Sequence, residues 1–323
     1  MNEKRPKVVS LFAGCGGLDL GFKQAGYEIL WANDFNEHAG ATYKRNFGDH
    51  MHVGPIQEVD FGSLPKPDLI TGGFPCQDFS MIWKRGGLET ERGNLYLYFV
   101  KAVDVLRPKV FVAENVKGLL TANGGKALDQ IVKDLSELGY RVNVDLYNFA
   151  EYGAPQLRER VLIVGVRDDV EYKFQKPKPL RTSDNFVTAG EALEGVEKVP
   201  FNNELINIKP RTEQILSLIP EGKNFSAIPK ESPFYVKGMI SHVYRRLDRN
   251  RPSTTIIAGG GGGTWGYHYE HPRPLTNRER ARLFGYPDDF IFEGTVTEVR
   301  RQIGNSVPPV AAKAIAEHLL EAF

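Results

Sequence analysis

Two cysteines, Cys15 and Cys76, are all that the 323 residues contain. That is too few for a disulfide framework or a cysteine-rich zinc cluster, so the small secreted scaffolds built on them are excluded. No apolar run approaches the about 20 residues that cross a bilayer. Met1 to Lys7 is charged and leads straight into a strand-like segment, so the pattern of a secretory leader is missing too. The expectation is a cytoplasmic protein with no membrane partner and no metal. Net charge is also nearly absent, with a formal value of +1.

What is present is ordinary globular material. Hydrophobic residues make up 41% and charged residues 25%, as in soluble proteins with a sizeable core. The length fits one large or two ordinary domains. The charge is unevenly spread. From Leu205 to Arg282 there are 13 Lys and Arg against 6 Asp and Glu, and the remainder holds 28 against 34. A segment that meets a polyanion would show this bias, and so would a solvated basic loop.

The first half alternates strand and helix patterns. Strands are expected at Val8–Phe12, Tyr27–Ala32, Asp68–Thr71, Val110–Ala113, Tyr140–Asn148 and Val161–Val166. Helices are expected at Gly17–Ala25, Glu37–Asn46, Leu95–Leu106 and Ala127–Leu138. Such alternation predicts an α/β fold with a doubly wound, mainly parallel sheet. The character changes near Glu171. A Lys-Pro linker follows, then an irregular basic stretch rich in Gly and Pro that includes five consecutive glycines, Gly259–Gly263. Helices return at Asn277–Phe284 and Val310–Leu320. The expected organisation is a catalytic and cofactor-binding domain at 1–173, an irregular target-recognition domain at 174–273, and a return segment at 274–323 that completes the first.

In a doubly wound sheet, ligands bind beyond the carboxyl ends of the strands. Four predicted strand ends carry suggestive residues. The first leads into Phe12-Ala-Gly-Cys-Gly-Gly17, the second into Asn33-Asp34-Phe35, the third into Gly72-Gly-Phe-Pro-Cys-Gln77, and the fourth into Glu114-Asn115. The glycine loop lets a ligand approach the backbone at a helix N-terminus. Its spacing is neither that of a dinucleotide fingerprint nor that of a phosphate loop. Asp34 could accept from ribose hydroxyls and Phe35 could lie against a purine, although a plain tight turn with a surface Asp reads equally well. Cys76 on its own is either a buried hydrophobe or a thiolate presented by a Pro-marked turn. Glu114, directly after an apolar strand, would be partly buried and hold its proton more tightly.

Taken together, Phe12-Ala-Gly-Cys-Gly-Gly17, Gly73-Phe-Pro-Cys-Gln77, Glu114-Asn-Val116, Gln156-Leu-Arg-Glu-Arg160, Leu275-Thr-Asn-Arg-Glu-Arg-Ala-Arg-Leu-Phe-Gly-Tyr-Pro-Asp288 and Gly304-Asn-Ser-Val307 resemble the ordered motifs of the DNA cytosine-5 methyltransferases, of bacterial restriction-modification type. The resemblance runs from residue 8 to the last helix and thins only at about Phe174–Tyr244.

The resemblance implies a Rossmann-like methyltransferase fold, S-adenosylmethionine as cofactor, and base flipping in double-stranded DNA. It implies Cys76 as the nucleophile toward carbon 6 of cytosine and Glu114 as the partner of ring nitrogen 3. By the same likeness Arg158 would hold the base carbonyl and Arg160 would orient the Glu or Cys loop. The cofactor would meet Phe12, Gly14, Gly16, Asp34, Phe35, Ile56, Pro75, Leu95, Asn305 and Val307. DNA would meet Ser80, Trp83, Lys84, Arg245, Arg246 and Thr255. The family's ribose acid is commonly Glu and here is Asp34, its neighbour is often Trp and here is Phe35, and Pro55 replaces the Asp that meets adenine. A monomer is expected, with a cognate restriction endonuclease as functional counterpart. An RNA cytosine-5 methyltransferase is the rival reading, disfavoured by the sizeable basic segment.

Overall fold

The computed structural model describes residues 5–75, 95–235, 237, 243–259 and 266–323. Seven strands form one sheet among these residues: β1 (Lys7–Leu11), β2 (Glu28–Asp34), β3 (Met51–Val53), β4 (Leu69–Gly72), β5 (Val110–Val116), β6 (Tyr140–Asn148) and β7 (Glu159–Arg167). The order is β3-β2-β1-β4-β5-β7-β6, and β7 alone runs antiparallel to its neighbours on both sides. The remaining pairs are parallel, as the alternating pattern predicts.

Alternate residues of the central strands enter opposite cores, which is why these strands read as unbroken apolar runs. Val8, Leu69, Val110 and Val112 face one layer, closed by α1 (Gly17–Gln24) and by the last α-helix, α9 (Pro309–Leu319). Val9, Ile70, Phe111 and Ala113 face the other, covered by α3 (Leu95–Leu106) and α4 (Lys126–Glu137). Between them in sequence, α2 (Glu37–Phe47) begins at Asn36, whose side chain accepts from the Ala39 amide and caps the first turn.

The structure departs from expectation at particular places. β5 continues past Ala113 to Val116, because antiparallel pairing with β7 extends to Val116–Arg160. Four elements escape the periodicity reading. β3 is only three residues long. The helices α5 (Ala189–Leu193), α6 (Pro210–Ser217) and α8 (Val296–Asn305) are short, yet each carries a start signal: the Thr188/Glu191 capping box, Pro210 in the first turn, and the Thr295 cap.

The basic stretch holds a small core of its own, in which Ile215, Ile219, Phe225 and Ile228 pack with Phe234, Tyr235 and Tyr244. Its flanks behave differently. Ala189, Leu193, Val196, Leu247 and Ile256 share a core with α7 (Asn277–Leu283), Phe290, Val299 and Cys15. The return segment is therefore packed against both the flanks of the basic stretch and the first glycine loop. Among the described residues no helix is long and apolar enough to cross a membrane.

Candidate active site

The loop after β1 turns on three residues in left-handed conformation: Phe12 (φ +54°), Gly14 (φ +57°) and Gly16 (φ +89°). For Phe12 this conformation is strained, and such strain gathers at ligand clamps. Gly16 has no room for a side chain, since its ideal Cβ would lie 3.0 Å from the Tyr43 ring and closer still to Phe47. Gly14 is different: nothing lies within 4 Å of where a Cβ would point. Its amide donates to Asp34 Oδ2 at 2.8 Å, and Asn36 N donates to Oδ1 at 2.9 Å. Burial raises the Asp34 pKa, opposed by these backbone donors. Next to it the Phe35 ring is 75% exposed, unusual for an aromatic side chain unless something covers it.

Other residues expected at this pocket are placed as follows. Ile56 is buried, so what it can offer a ligand is backbone at the start of the turn Ile56–Glu58. Leu95 begins α3 and is half-buried. Asn305 ends α8 and is exposed, whereas Val307 is buried with its carbonyl against Gly17. Pro75 is exposed beside the same sheet edge. An open glycine backbone, a carboxylate and an uncovered aromatic ring at one rim fit an adenosine-bearing group.

Cys76 itself, with Ser80, Trp83 and Lys84, lies outside the described residues. What precedes it is well defined. Asn115 Nδ2 donates to the Phe74 carbonyl at 2.9 Å, tying the Gly72–Pro75 turn to β5. Glu114 sits within β5 opposite Leu162, and its Oε2 lies 3.5 Å from the ideal Cβ position of Gly73. Arg160 Nε reaches Glu114 Oε1 at 2.9 Å, with side chains only 14% and 13% exposed. Burial raises the Glu114 pKa, while Arg160 and then Arg158 pull it back. The other cysteine is unsuited to nucleophilic work: Cys15 is buried beside Tyr286, and burial pushes its thiol up to about 12.

Of the two arginines of Gln156-Leu-Arg-Glu-Arg160, Arg160 stands beside Glu114 as expected, and Arg158 has different surroundings. Arg158 does not face an open site. It is 1% exposed and donates to the carbonyls of Ile256, Gly304 and Ser306 at 3.2, 2.8 and 3.2 Å, with its guanidinium over the Phe284 ring. The reason is a chain crossing: residues 156–157 run parallel to 253–256, with Leu157 N on Ser253 O and Ile256 N on Gln156 Oε1. Arg158 fastens that crossing, and Arg160 is the arginine that meets Glu114. Thr255 stands at the same crossing, exposed, its hydroxyl donating to Leu157 O at 2.7 Å.

Arg246 is likewise corrected as a DNA contact. It is buried, and its guanidinium serves four backbone carbonyls, those of Leu216, Ile219, His268 and Tyr269. Arg278 and Arg280 are fully buried as well. Three of the thirteen Lys and Arg counted from Leu205 to Arg282 are therefore internal scaffolding. Arg245 is half-buried, and Arg249 pairs with Glu221 at 3.0 Å.

Comparison with known proteins gives this site its context. A family profile described as C-5 cytosine-specific DNA methylase matches residues 6–321. The chain is 57% identical to the Type II methyltransferase M.NgoFVII of Neisseria gonorrhoeae, covering 100% of this chain and 88% of that one. It is 42% identical to the Type II methyltransferase M.BbvI of Brevibacillus brevis, covering 97% and 90%. In fold it resembles the S. pombe Dnmt2 methyltransferase, with TM-score 0.65 at 20% identity over 98% of this chain and 99% of that one. The paired Glu114 and Arg160, the open glycine loop and a family match over nearly the whole length agree: the chain belongs to the C-5 cytosine-specific DNA methylases.

Proposed function

We propose that this DNA cytosine-5 methyltransferase works through a covalent bond between Cys76 and carbon 6 of a cytosine flipped out of the duplex, with S-adenosylmethionine as methyl donor. The observation that carries the reading is the Glu114–Arg160 pair lying over Gly73, three residues before Cys76. Carbon 5 of cytosine is a poor nucleophile until a thiolate adds at carbon 6 and turns the ring into an enamine. Glu114, its pKa raised by burial, can keep a proton to share with ring nitrogen 3, so that negative charge does not accumulate on the base. Arg160 fixes the carboxyl's orientation. S-Adenosylmethionine, when bound, supplies an electrophilic methyl group on a sulfonium. Asp34 would take the ribose, the exposed Phe35 ring would cover the adenine, and Gly14 would leave the backbone open to approach. Elimination of Cys76 after loss of the carbon-5 proton releases the product.

The target base lies inside the stack and must leave it. The irregular segment 174–273 is the candidate for gripping and reading the duplex. With Arg246 committed to internal carbonyls, the candidates left among the expected residues are Arg245, Thr255 and the 76–94 segment. The Type II relatives support a place in a restriction-modification system, opposite an endonuclease of the same specificity.

The test is transfer of labelled methyl to unmethylated duplex DNA, with transfer RNA assayed in parallel. Wild type should yield 5-methylcytosine in DNA, and Cys76→Ala none. Methylation of transfer RNA alone would replace the DNA reading by the RNA one. Pro55 offers a second check. The family places an acid there toward the adenine amine, and Pro55 has no side-chain acceptor. Pro55→Asp should tighten S-adenosylmethionine binding by roughly 5- to 10-fold in a calorimetric titration, as one added hydrogen bond would. An unchanged affinity would mean that adenine is read through other groups.

A further inference from the structure

A carboxyl group without a cationic partner among the described residues lies directly beneath the glycine loop. Asp19, in the first turn of α1, is 1% exposed. Ser10 Oγ donates to its Oδ1 and Tyr43 Oη to its Oδ2, both at 2.7 Å. Thr71 places a third buried hydroxyl close by, outside strict hydrogen-bond geometry. Burial lifts the Asp19 pKa to about 6, opposed by these hydroxyls. A buried ion supported only by neutral donors is costly, and a fold needing mere packing there could use an apolar residue.

The partners of Asp19 show what the arrangement holds. Ser10 lies on β1, two residues before Phe12. Tyr43 comes from α2, and its ring is one of the surfaces that confine Gly16. Thr71 lies on β4, one residue before the Gly72–Pro75 turn. One carboxyl thus joins the strand entering the loop to the aromatic floor under it, with the Thr71 hydroxyl of the strand leading toward Cys76 close by.

We propose that Asp19 is a positioning residue that, through Ser10 and Tyr43, sets the shape of the Phe12–Gly17 loop in which the methyl donor binds. This rests on reading that loop as the S-adenosylmethionine site. Ionised Asp19 accepts both hydroxyls, whereas protonation removes acceptor capacity and loosens one bond. A cationic sulfonium above the loop further favours the ionised form, so donor affinity rises with pH through the Asp19 titration. The groups facing Asp19 are Ser10 from β1, Tyr43 from α2 and Thr71 from β4. Of these Tyr43 titrates, and burial with the neighbouring carboxyl keeps its hydroxyl protonated far above neutrality. Asp34 lies across the loop on Gly14 and its pKa is also raised by burial, so Asp19→Asn is needed to isolate the Asp19 part of the dependence.

Calorimetric titration of S-adenosylmethionine and S-adenosylhomocysteine from about pH 5 to 8, spanning the Asp19 titration, tests this. Wild type should lose about fivefold or more in S-adenosylmethionine affinity as pH falls through 6, and less in that for S-adenosylhomocysteine, whose sulfur carries no charge. Asp19→Asn should flatten that dependence. Tyr43→Phe, which keeps the ring and removes one donor, should weaken binding roughly 3- to 10-fold while kcat at saturating donor stays near wild type. If Asp19→Asn and Tyr43→Phe both bind with wild-type affinity and pH dependence and differ only in Tm, the residue is structural and the proposal falls. Should Asp19→Asn not fold, Tyr43→Phe decides alone. Wild type that takes up neither ligand would remove the cofactor reading itself, and the proposal with it.

Discussion

Glu114→Gln should lower kcat/KM for methyl transfer by roughly 10²- to 10⁴-fold, the usual worth of a positioned proton donor. Glutamine keeps the shape and can still meet ring nitrogen 3 as a donor, but it cannot release a proton to it. Folding should change far less, because Glu114 sits within a strand whose ladder with β7 is made by backbone. The pH profile carries the sign. Burial raises the Glu114 pKa, so the protonated form persists to higher pH than in a free carboxyl, and activity should fall as pH rises through that value. Arg160→Ala removes the nearest group pulling the pKa down, so the alkaline limb should move upward even as the rate drops. A wild-type rate in Glu114→Gln, measured as single-turnover methyl transfer on duplex DNA, would remove Glu114 from the chemistry.

The largest effect on stability should come from Glu279→Ala. Glu279 is 1% exposed, receives both Arg273 terminal nitrogens at 2.9 and 2.7 Å, and closes the capping box of α7 through the Thr276 amide at 2.8 Å. His268 Nε2 lies 3.8 Å away, its pKa lowered to about 4 by burial, so it remains neutral and leaves the charge balance to Arg273. Arg273 is 23% exposed and can turn to water, so losing Glu279 removes two charged hydrogen bonds and the helix cap at a cost of about 2–3 kcal/mol. A loss of that size should appear in the urea midpoint and in Tm. Glu279→Gln, which keeps the cap but loses the charge, should fall between wild type and Ala. Full wild-type stability in Glu279→Ala would show that neither those hydrogen bonds nor the cap holds the fold.

The parts legible in the sequence were those set by repetition and by short range. Strand and helix alternation predicted the mainly parallel sheet, because residues such as Val8 and Val9 must each find a core on opposite faces. The rim residues stood out because each lies at the end of an expected strand. The fates of Arg158 and Arg246 were not legible. Both resemble surface cations in sequence, and both are buried by chain crossings between segments about a hundred and about thirty residues apart. Nothing local marks an arginine whose partners are distant carbonyls. The capping box at Thr188 was local and readable, but α5 is too short for periodicity to stand out, whereas α7 behind its Thr276 box was expected.

The packing of α9 against α1 has a consequence for how the protein is made. Leu18 and Phe22 of α1 share a core with Ala311, Ala312 and Ile315 of α9, and Tyr27 gives its hydroxyl to the Ala316 carbonyl at 3.0 Å. A chain growing from its N-terminus at about 5–20 residues per second presents that apolar face tens of seconds before its cover exists. The emerging first half must wait with one layer bare, so the arrival of α9, rather than the first strands, decides when the enzyme becomes a single cooperative body.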